Sequence, residues 1–466
     1  MPGTPLYIKF SIPPVSSATL SRPFLLKSLD QGQAGKLTLI SAPAGFGKTS
    51  LLADWANNCS APPVWISLDE NDNDPIRFFS NILAAFQMID PNLALELAHD
   101  LQSPRPLSLE ELLTDLIDQV AAQPGQQVLI LDDFHLIYAY PILNALTILF
   151  DNLPANLHLF ISTRVDPPLQ LSRLRSTRQL LVELHSADLR FNLEETRLFM
   201  ERALHQQLNQ ADIEALSKRT AGWVIALQMA ALALRDCQEI PNLIQDFISS
   251  NRFILNYFLE MLLKRQPTQV QSFLLQTSVL ERLNGALCDA VTGQSGNQQT
   301  LLQLEQEGLF TSALDEKRSW FKYHPLFADQ LQRRQRQVCP EDGFTTYKRA
   351  SHWYEQNGFI PAAIENAFKA QDISMAARLV EIHAKSFWNS GQQASLYKWL
   401  QALSDEVVRS RPRLAIYRSI QLYSTGLQLA AQEYLRIAES GLLGLDVDLI
   451  QEERDILNEA RAIIRK

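Results

Sequence analysis

The chain has 466 residues, 46% of them hydrophobic and 20% charged, an ordinary globular composition spread over roughly three to four domains rather than one core. Its 42 Lys+Arg against 51 Asp+Glu, a net charge of −9, argue against nucleic-acid binding by the chain as a whole. Four separated cysteines, Cys59, Cys237, Cys288 and Cys339, form no C-x-x-C pair, which excludes a zinc ribbon or disulfide framework and suits a reducing cytoplasm.

Met1–Phe10 has no basic region followed by a long apolar core, so no signal peptide is expected. The longest apolar stretch, Trp223–Leu234, is broken by Gln228 and is too short to span a bilayer. A cytoplasmic protein without a membrane partner is the expectation. Residues 1–20, with Pro13, Pro14, Ser16 and Ser17, read as an extended arm.

A strand–helix alternation follows. Short apolar strands are expected at Leu37–Ile40, Val64–Leu68, Val128–Leu131 and Leu157–Ser162, with helices at Ser50–Asn57 and Ile76–Phe86. Such alternation predicts a parallel sheet covered on both faces. From Asn192 to Ser250 the periodicity is helical. Helices over Asn251–Leu263, Gln269–Leu280 and Asn297–Gln306 then precede a hairpin, Leu309–Leu314 and Trp320–Tyr323, a winged-helix pattern. Pro325 suits the first turn of the next helix and sets His324 at its mouth. Beyond Asp342 the chain is helical again. Asn357-Gly358, Ser390-Gly391 and Thr425-Gly426 recur 33 and 35 residues apart (391−358 and 426−391), a period typical of stacked helical hairpins.

Ala42-Pro43-Ala44-Gly45-Phe46-Gly47-Lys48-Thr49 fits the P-loop pattern G-x-x-x-x-G-K-[ST], with Ala42 in place of the first glycine. The loop must wrap backbone N–H groups around phosphate oxygens, and Gly45 and Gly47 permit the close approach. In that reading Lys48 reaches the β- and γ-phosphates, Thr49 offers its hydroxyl to Mg²⁺, and Ala44, Phe46 and Ser50 complete the cradle. Asp132 and Asp133 end an apolar strand where ligands bind at a parallel sheet. Asp132 suits Mg²⁺ and Asp133 suits orienting or deprotonating an attacking water. Arg164, at the end of the fourth strand, either senses the γ-phosphate, holds the carboxylates, or is a plain surface arginine.

The order of these segments resembles the STAND NTPases, in particular the MalT-like large ATP-binding LuxR-type regulators. The resemblance rests on Leu20-Ser21-Arg22-Pro23, the P-loop, and Ser67-Leu68-Asp69-Glu70-Asn71-Asp72-Asn73-Asp74-Pro75 with Arg77-Phe78. It continues through Leu131-Asp132-Asp133-Phe134-His135, Ser162-Thr163-Arg164, Gly222-Trp223 and Tyr323-His324-Pro325-Leu326-Phe327, and spans nearly the whole chain. It implies a multidomain α/β plus α fold: an N-terminal arm (1–20), a P-loop parallel-sheet nucleotide-binding domain (21–185), a helical domain (186–250), a winged-helix domain (251–341) and a C-terminal helical-repeat arm (342–466).

It also implies a switch that is closed with ADP. ATP and an inducer, a small molecule or a protein, open it to self-associate, and slow hydrolysis resets it. Arg22 matches a position near the adenine. Gly222 and Trp223 fall where relatives carry a Gly-x-Pro turn against the base, here without the proline. His324 matches the winged-helix histidine that touches the ADP β-phosphate. The last expected helix, Leu449–Ile464, is followed by no LuxR-type helix-turn-helix, which points to a longer protein carrying sensor and effector. Alternatives are a conventional P-loop enzyme such as a kinase, or a helical scaffold with an inactive nucleotide site. Direct DNA binding is not expected, because the second winged-helix helix (Gly285–Val291) carries Asp289 and no base, and Arg333-Arg334-Gln335-Arg336 reads as a solvated face.

Overall fold

The computed structural model describes residues 6–15, 19–59, 63–88, 90–91, 93, 97, 109–176, 180–235, 262–263, 266–338, 342–442, 457–458 and 461. Most of the expected helices Asn251–Leu263 and Leu449–Ile464 lies outside these residues. Among the described residues no helix is long and apolar enough to cross a membrane.

The N-terminal part is a parallel sheet between helices. Its elements are α1 (Leu6–Phe10), α2 (Pro23–Gly32), β1 (Leu37–Ser41), α3 (Lys48–Asn57), β2 (Val64–Ser67), α4 (Pro75–Gln87), α5 (Leu109–Ala121), β3 (Gln127–Asp132), α6 (Tyr140–Asn152), β4 (Leu157–Thr163), α7 (Ser172–Ser176) and β5 (Leu181–His185). The strand order is β2-β3-β4-β1-β5, all pairs parallel. Side chains alternate across a strand. Leu37, Leu39, Leu129, Leu131, Leu159 and Ile161 therefore build one core with α4, α5 and α6. Ile40, Ile130 and Phe160 build the other with α2 and α3.

Two expectations need correction. The first twenty residues are not simply extended: α1 forms a short helix whose Ile8, Lys9 and Phe10 are buried. Its Lys9 ammonium bonds Asp69 at 3.1 Å and Asp72 Oδ1 at 2.6 Å, a pairing that offsets the desolvation of burying a lysine. The strand β5 was not expected. Only Leu184 of it is fully buried, as suits an edge strand, and its single alternating stretch carries a weak apolar signal.

Helices α8 (Ser186–Leu189), α9 (Leu193–Leu204), α10 (Gln210–Thr220) and α11 (Val224–Leu234) follow. In α11 every residue from Met229 to Leu234 is buried, the mark of a helix packed on all sides. The winged-helix part comprises α12 (Thr268–Thr277), α13 (Gly285–Thr292), α14 (Asn297–Gln306), the antiparallel pair β6 (Thr311–Ala313) and β7 (Phe321–Tyr323), and α15 (Pro325–Val338). On α15, Arg333, Arg334 and Arg336 are exposed around a buried Gln335.

The C-terminal part is helical: α16 (Asp342–Gln356), α17 (Ile360–Lys369), α18 (Ile373–Asn389), α19 (Gln393–Ala402), α20 (Asp405–Arg409), α21 (Pro412–Ser424) and α22 (Gln428–Leu442). Gly358, Gly391 and Gly426 sit at φ +77°, +74° and +82° between the members of three helix pairs, ending each first helix in the left-handed conformation glycine favours. The multidomain α/β plus α architecture thus comprises a P-loop sheet domain, a helical domain, a winged helix and a helical-repeat arm. One apolar core runs from Phe191 through the winged helix into the arm.

Candidate nucleotide site

The strand order sets the site. β4 lies between the P-loop strand β1 and the acidic strand β3, with Leu131 paired to Ile161. Asp132 and Ser162 are thereby neighbours on the face that carries α3. Ser162 Oγ donates to Asp132 Oδ1 and accepts from the Asp133 N–H at 3.3 Å. Thr49 Oγ1, in the first turn of α3, donates to Asp132 at 3.0 and 3.1 Å. Asp132 is wholly buried. Burial and the neighbouring Asp133 push its carboxyl up to about 6.

The P-loop is tied to β4 by Ala42 N–H donating to Thr163 O at 3.2 Å. Lys48 Nζ donates to Ala42 O (2.7 Å) and Pro43 O (3.1 Å). Burial lowers its pKa, against the pull of Asp133 and Asp132. Gly47 has φ +78° and is the N-cap of α3, with nothing within 4 Å of where a Cβ would sit. That open space and the free N–H groups of a ten-residue helix form an anion cradle. Ser50 is exposed in the same turn.

Gly45 is constrained differently. A Cβ there would lie 2.7 Å from Ile225 Cγ2 and 3.2 Å from Trp223 Nε1, so this glycine admits the helical domain. Ile225 N–H donates to Gly45 O at 3.2 Å, Trp223 Nε1 reaches Ala44 O at 3.4 Å, and the Phe46 and Trp223 rings lie 6.2 Å apart. Gly222 has φ +68°, and a Cβ on it would meet Phe191 O at 2.2 Å. Arg22 is committed elsewhere. Its guanidinium bonds Glu195 (2.8 and 3.1 Å), Leu189 O and Arg190 O and covers the Phe191 ring at 5.2 Å. It joins α2 to the helical domain, with most of its donors turned to that domain.

The winged helix closes the far side. His324 N–H donates to Phe310 O at 2.7 Å and its carbonyl accepts from Phe327 and Ala328, so the backbone is anchored. Its Nδ1 is buried without a hydrogen-bond partner. Burial, Lys322, Arg164 and Lys48 push its pKa down to about 3. Arg164 is half-buried and near enough to act on His324, His135 and Lys48 alike. The structure thus gathers Lys48, Thr49, Asp132, Asp133, Arg164 and His324, brings Gly222 and Trp223 against the P-loop, and leaves Arg22 one layer out.

Three site neighbours escaped the sequence reading. Lys322 Nζ stands 3.8 Å from Asp133 Oδ2. It sits two residues before His324, and that period of two was the available signal. His135 Nδ1 is 3.8 Å from Asp133 Oδ1 and also lacks a hydrogen bond. Ser162 had no local signal as an Asp132 partner, since only the strand order makes it one.

Among the described residues no group of three or more His, Cys, Asp or Glu could hold a metal ion. Thr49 and Asp132 supply two oxygens, which fits Mg²⁺ held largely by water and phosphate rather than by a protein cage.

Residues 31–166 match an AAA domain and residues 259–342 the MalT winged helix domain. The chain is 32% identical to the HTH-type transcriptional regulator MalT of Yersinia enterocolitica over 463 residues, 98% of this chain and 51% of that protein. This chain is a MalT-like STAND P-loop NTPase. The STAND fold extends to a Pyrococcus horikoshii STAND protein with a tetratricopeptide repeat sensor (TM-score 0.67, 16% identity, 98% of this chain and 66% of that one). The serine/threonine-protein kinase PknK of Mycobacterium tuberculosis is 32% identical over 409 residues, 87% of this chain and 37% of PknK. This STAND chain therefore spans about half the MalT relative and about a third of the kinase. Its P-loop AAA domain implies nucleotide binding, generally with Mg²⁺.

Proposed function

We propose that this chain is an ATP/ADP-dependent signal-transduction switch, the regulatory core of a transcriptional regulator. It is closed with ADP and opens to self-associate with ATP and an inducer. The observation that carries this reading is the orphaned Nδ1 of His324, buried among Lys48, Arg164 and Lys322. A neutral imidazole nitrogen without a partner, ringed by cations, is complemented by a phosphate oxygen.

The residue roles follow from position. The N–H groups at the start of α3 and Lys48 bind phosphate oxygens, which requires Lys48 to leave the carbonyls of Ala42 and Pro43. Thr49 and Asp132 hold Mg²⁺, with Ser162 orienting Asp132. Bound nucleotide supplies the phosphoanhydride, and Mg²⁺ neutralises its charge. Asp133 orients or deprotonates water, and Arg164 senses the outer phosphate. Gly222 and Trp223 bring the helical domain against the loop, and Arg22 acts on the nucleotide only through that domain.

Because His324 belongs to the winged helix, its bond to ADP makes closure depend on the nucleotide. A charge-assisted bond worth about 1.5–3 kcal/mol biases closed over open by roughly ten- to a hundredfold. The test is to purify the chain without added nucleotide, denature it and identify what is released. Near-stoichiometric ADP is expected, lost in Lys48→Ala, with His324→Ala weakening ADP more than ATP. A preparation that is empty and also refuses added nucleotide would overturn the reading. Rapid multiple turnover would favour a conventional ATP-consuming enzyme.

A further inference from the structure

The turn after β2 touches three parts of the molecule at once. On its inner side it is rigid. Asp69 accepts from Asn71 N–H, and Asp72 accepts from Asp69 N–H at 2.8 Å, from Asn81 Nδ2 at 2.9 Å and from Lys9. The Asn73 amide uses all of its hydrogen-bonding positions. Its Nδ2 donates to Glu70 O (3.0 Å) and Leu136 O (2.7 Å), and its Oδ1 accepts from Tyr138 N–H (2.7 Å) and Ala139 N–H (2.9 Å). Leu136 to Ala139 is the segment that leaves Asp133 at the nucleotide site. Asp133 itself sits at φ +58°, a left-handed conformation that aspartate adopts more readily than most residues.

On its outer side the same turn meets the winged helix and the arm. Arg282 Nη2 approaches Asp69 Oδ2 at 3.4 Å. Asp74 caps α4 by accepting from Arg77 N–H at 3.1 Å. Burial pushes the Asp74 carboxyl up, opposed by backbone donors that include the Ser395 N–H in the first turn of α19. One residue beyond Pro75, Ile76 packs under the arm turn so closely that a Cβ on Gly391 would lie 2.7 Å from Ile76 Cδ1. A small cavity of about 80 Å³, lined by Asp69, Asn71, Arg282, Trp320 and Lys369 among others, lies where the turn meets the winged helix and the arm.

We propose that the 69–74 turn couples arm docking to nucleotide retention: the arm seats on Asp74 and Ile76 through its 391–395 turn, and Asn73 passes that state to the loop carrying Asp133. The inference rests on the switch reading above and names the path of its regulation. Coupling needs an element that both sites bias, and this turn is bonded to one and packed against the other.

The experiment follows release of a fluorescent ADP analogue from the full chain. Gly391→Val wedges the arm off and should speed release about tenfold, a typical coupling magnitude. Adding Ile76→Ala makes room for the valine and should slow release again, whereas Gly426→Val, which carries the same left-handed strain with nothing within 4 Å of its Cβ, should leave release unchanged, so that the wedge and not the strain is responsible. Asn73→Ala should also speed release and should make it blind to Gly391→Val, so that the double variant is no faster than Asn73→Ala alone. Multiplying effects in the double variant, or a wild-type rate in Gly391→Val with ADP retained by the wild type, would overturn this coupling alone. A wild-type chain that binds no nucleotide overturns the coupling and the switch reading together.

Discussion

Lys322 and Asp133 face each other at 3.8 Å, joining the second wing strand to the acidic end of β3. Their side chains are 34% and 29% exposed, so the pair is worth only about 0–1 kcal/mol. It nevertheless holds the candidate water-activating carboxylate while the winged helix is docked. Lys322→Glu replaces attraction by repulsion and should speed ADP release several-fold, with Lys322→Ala intermediate. Both differences should shrink between roughly 0.05 and 0.5 M salt. A salt-independent effect would assign Lys322 a packing role instead.

Acidification should loosen the nucleotide-free protein. His324 and His158 are held at about 3 and about 4, mainly by burial, against an ordinary 6.5. A depressed histidine contributes stability that is complete above 6.5 and is lost as pH falls toward the folded value, because the unfolded state binds the proton first. Thermal unfolding temperature should therefore fall between pH 7 and pH 5. His324→Gln should flatten part of that slope. His158, bonded to Thr38 Oγ1 and Gly35 O, and His135, also lowered to about 4 mainly by burial, should keep the remainder. An unchanged slope in His324→Gln would show that the imidazole is not desolvated.

Ser162 links the Asp132 carboxylate to the Asp133 backbone, donating to Asp132 Oδ1 and accepting from the Asp133 N–H. Ser162→Ala leaves a buried carboxylate short of a donor and should cost about 1–3 kcal/mol. It should also weaken Mg²⁺-dependent nucleotide binding. Ser162→Thr keeps the hydroxyl and should recover most of both. Urea unfolding and nucleotide titration separate the two effects, and loss of stability with intact Mg²⁺ dependence would limit Ser162 to a structural role.

Gly222 is required by two constraints, a φ of +68° and the Phe191 carbonyl 2.2 Å from where a Cβ would sit. Gly222→Ala must move the backbone that places Trp223 and Ile225 on the P-loop, destabilising the chain by more than about 1 kcal/mol. Nucleotide affinity should fall with it. Normal affinity in a folded Gly222→Ala protein would show that the helical domain contributes nothing to the site.

Much of the site was legible because its signals are local. An apolar strand followed by a glycine-rich turn and Lys48-Thr49, or by Asp132-Asp133, declares itself within ten residues. The three glycines of the arm did the same, since each ends a helix at positive φ. Other features were not legible. Ile8 and Phe10 are too few to show a helical period, and β5 is a single half-buried stretch. Arg22 resembled a base-side residue by its place in the chain, yet four acceptors from α8, α9 and the segment between them claim its guanidinium.

The sequence by itself determined that this chain carries a P-loop of the kind that implies nucleotide binding, in a STAND architecture with a winged helix and a helical arm. Short-range periodicity, turn chemistry and motif order carry that information. Only the tertiary structure decided which partners the motifs meet: Ser162 beside Asp132, Lys322 opposite Asp133, Trp223 on Ala44, Asn73 on the loop beyond Asp133. Parallel strands are joined by long crossovers, so their lateral order is set by global packing rather than by any local run of residues. That order, with β4 between β1 and β3, builds the site.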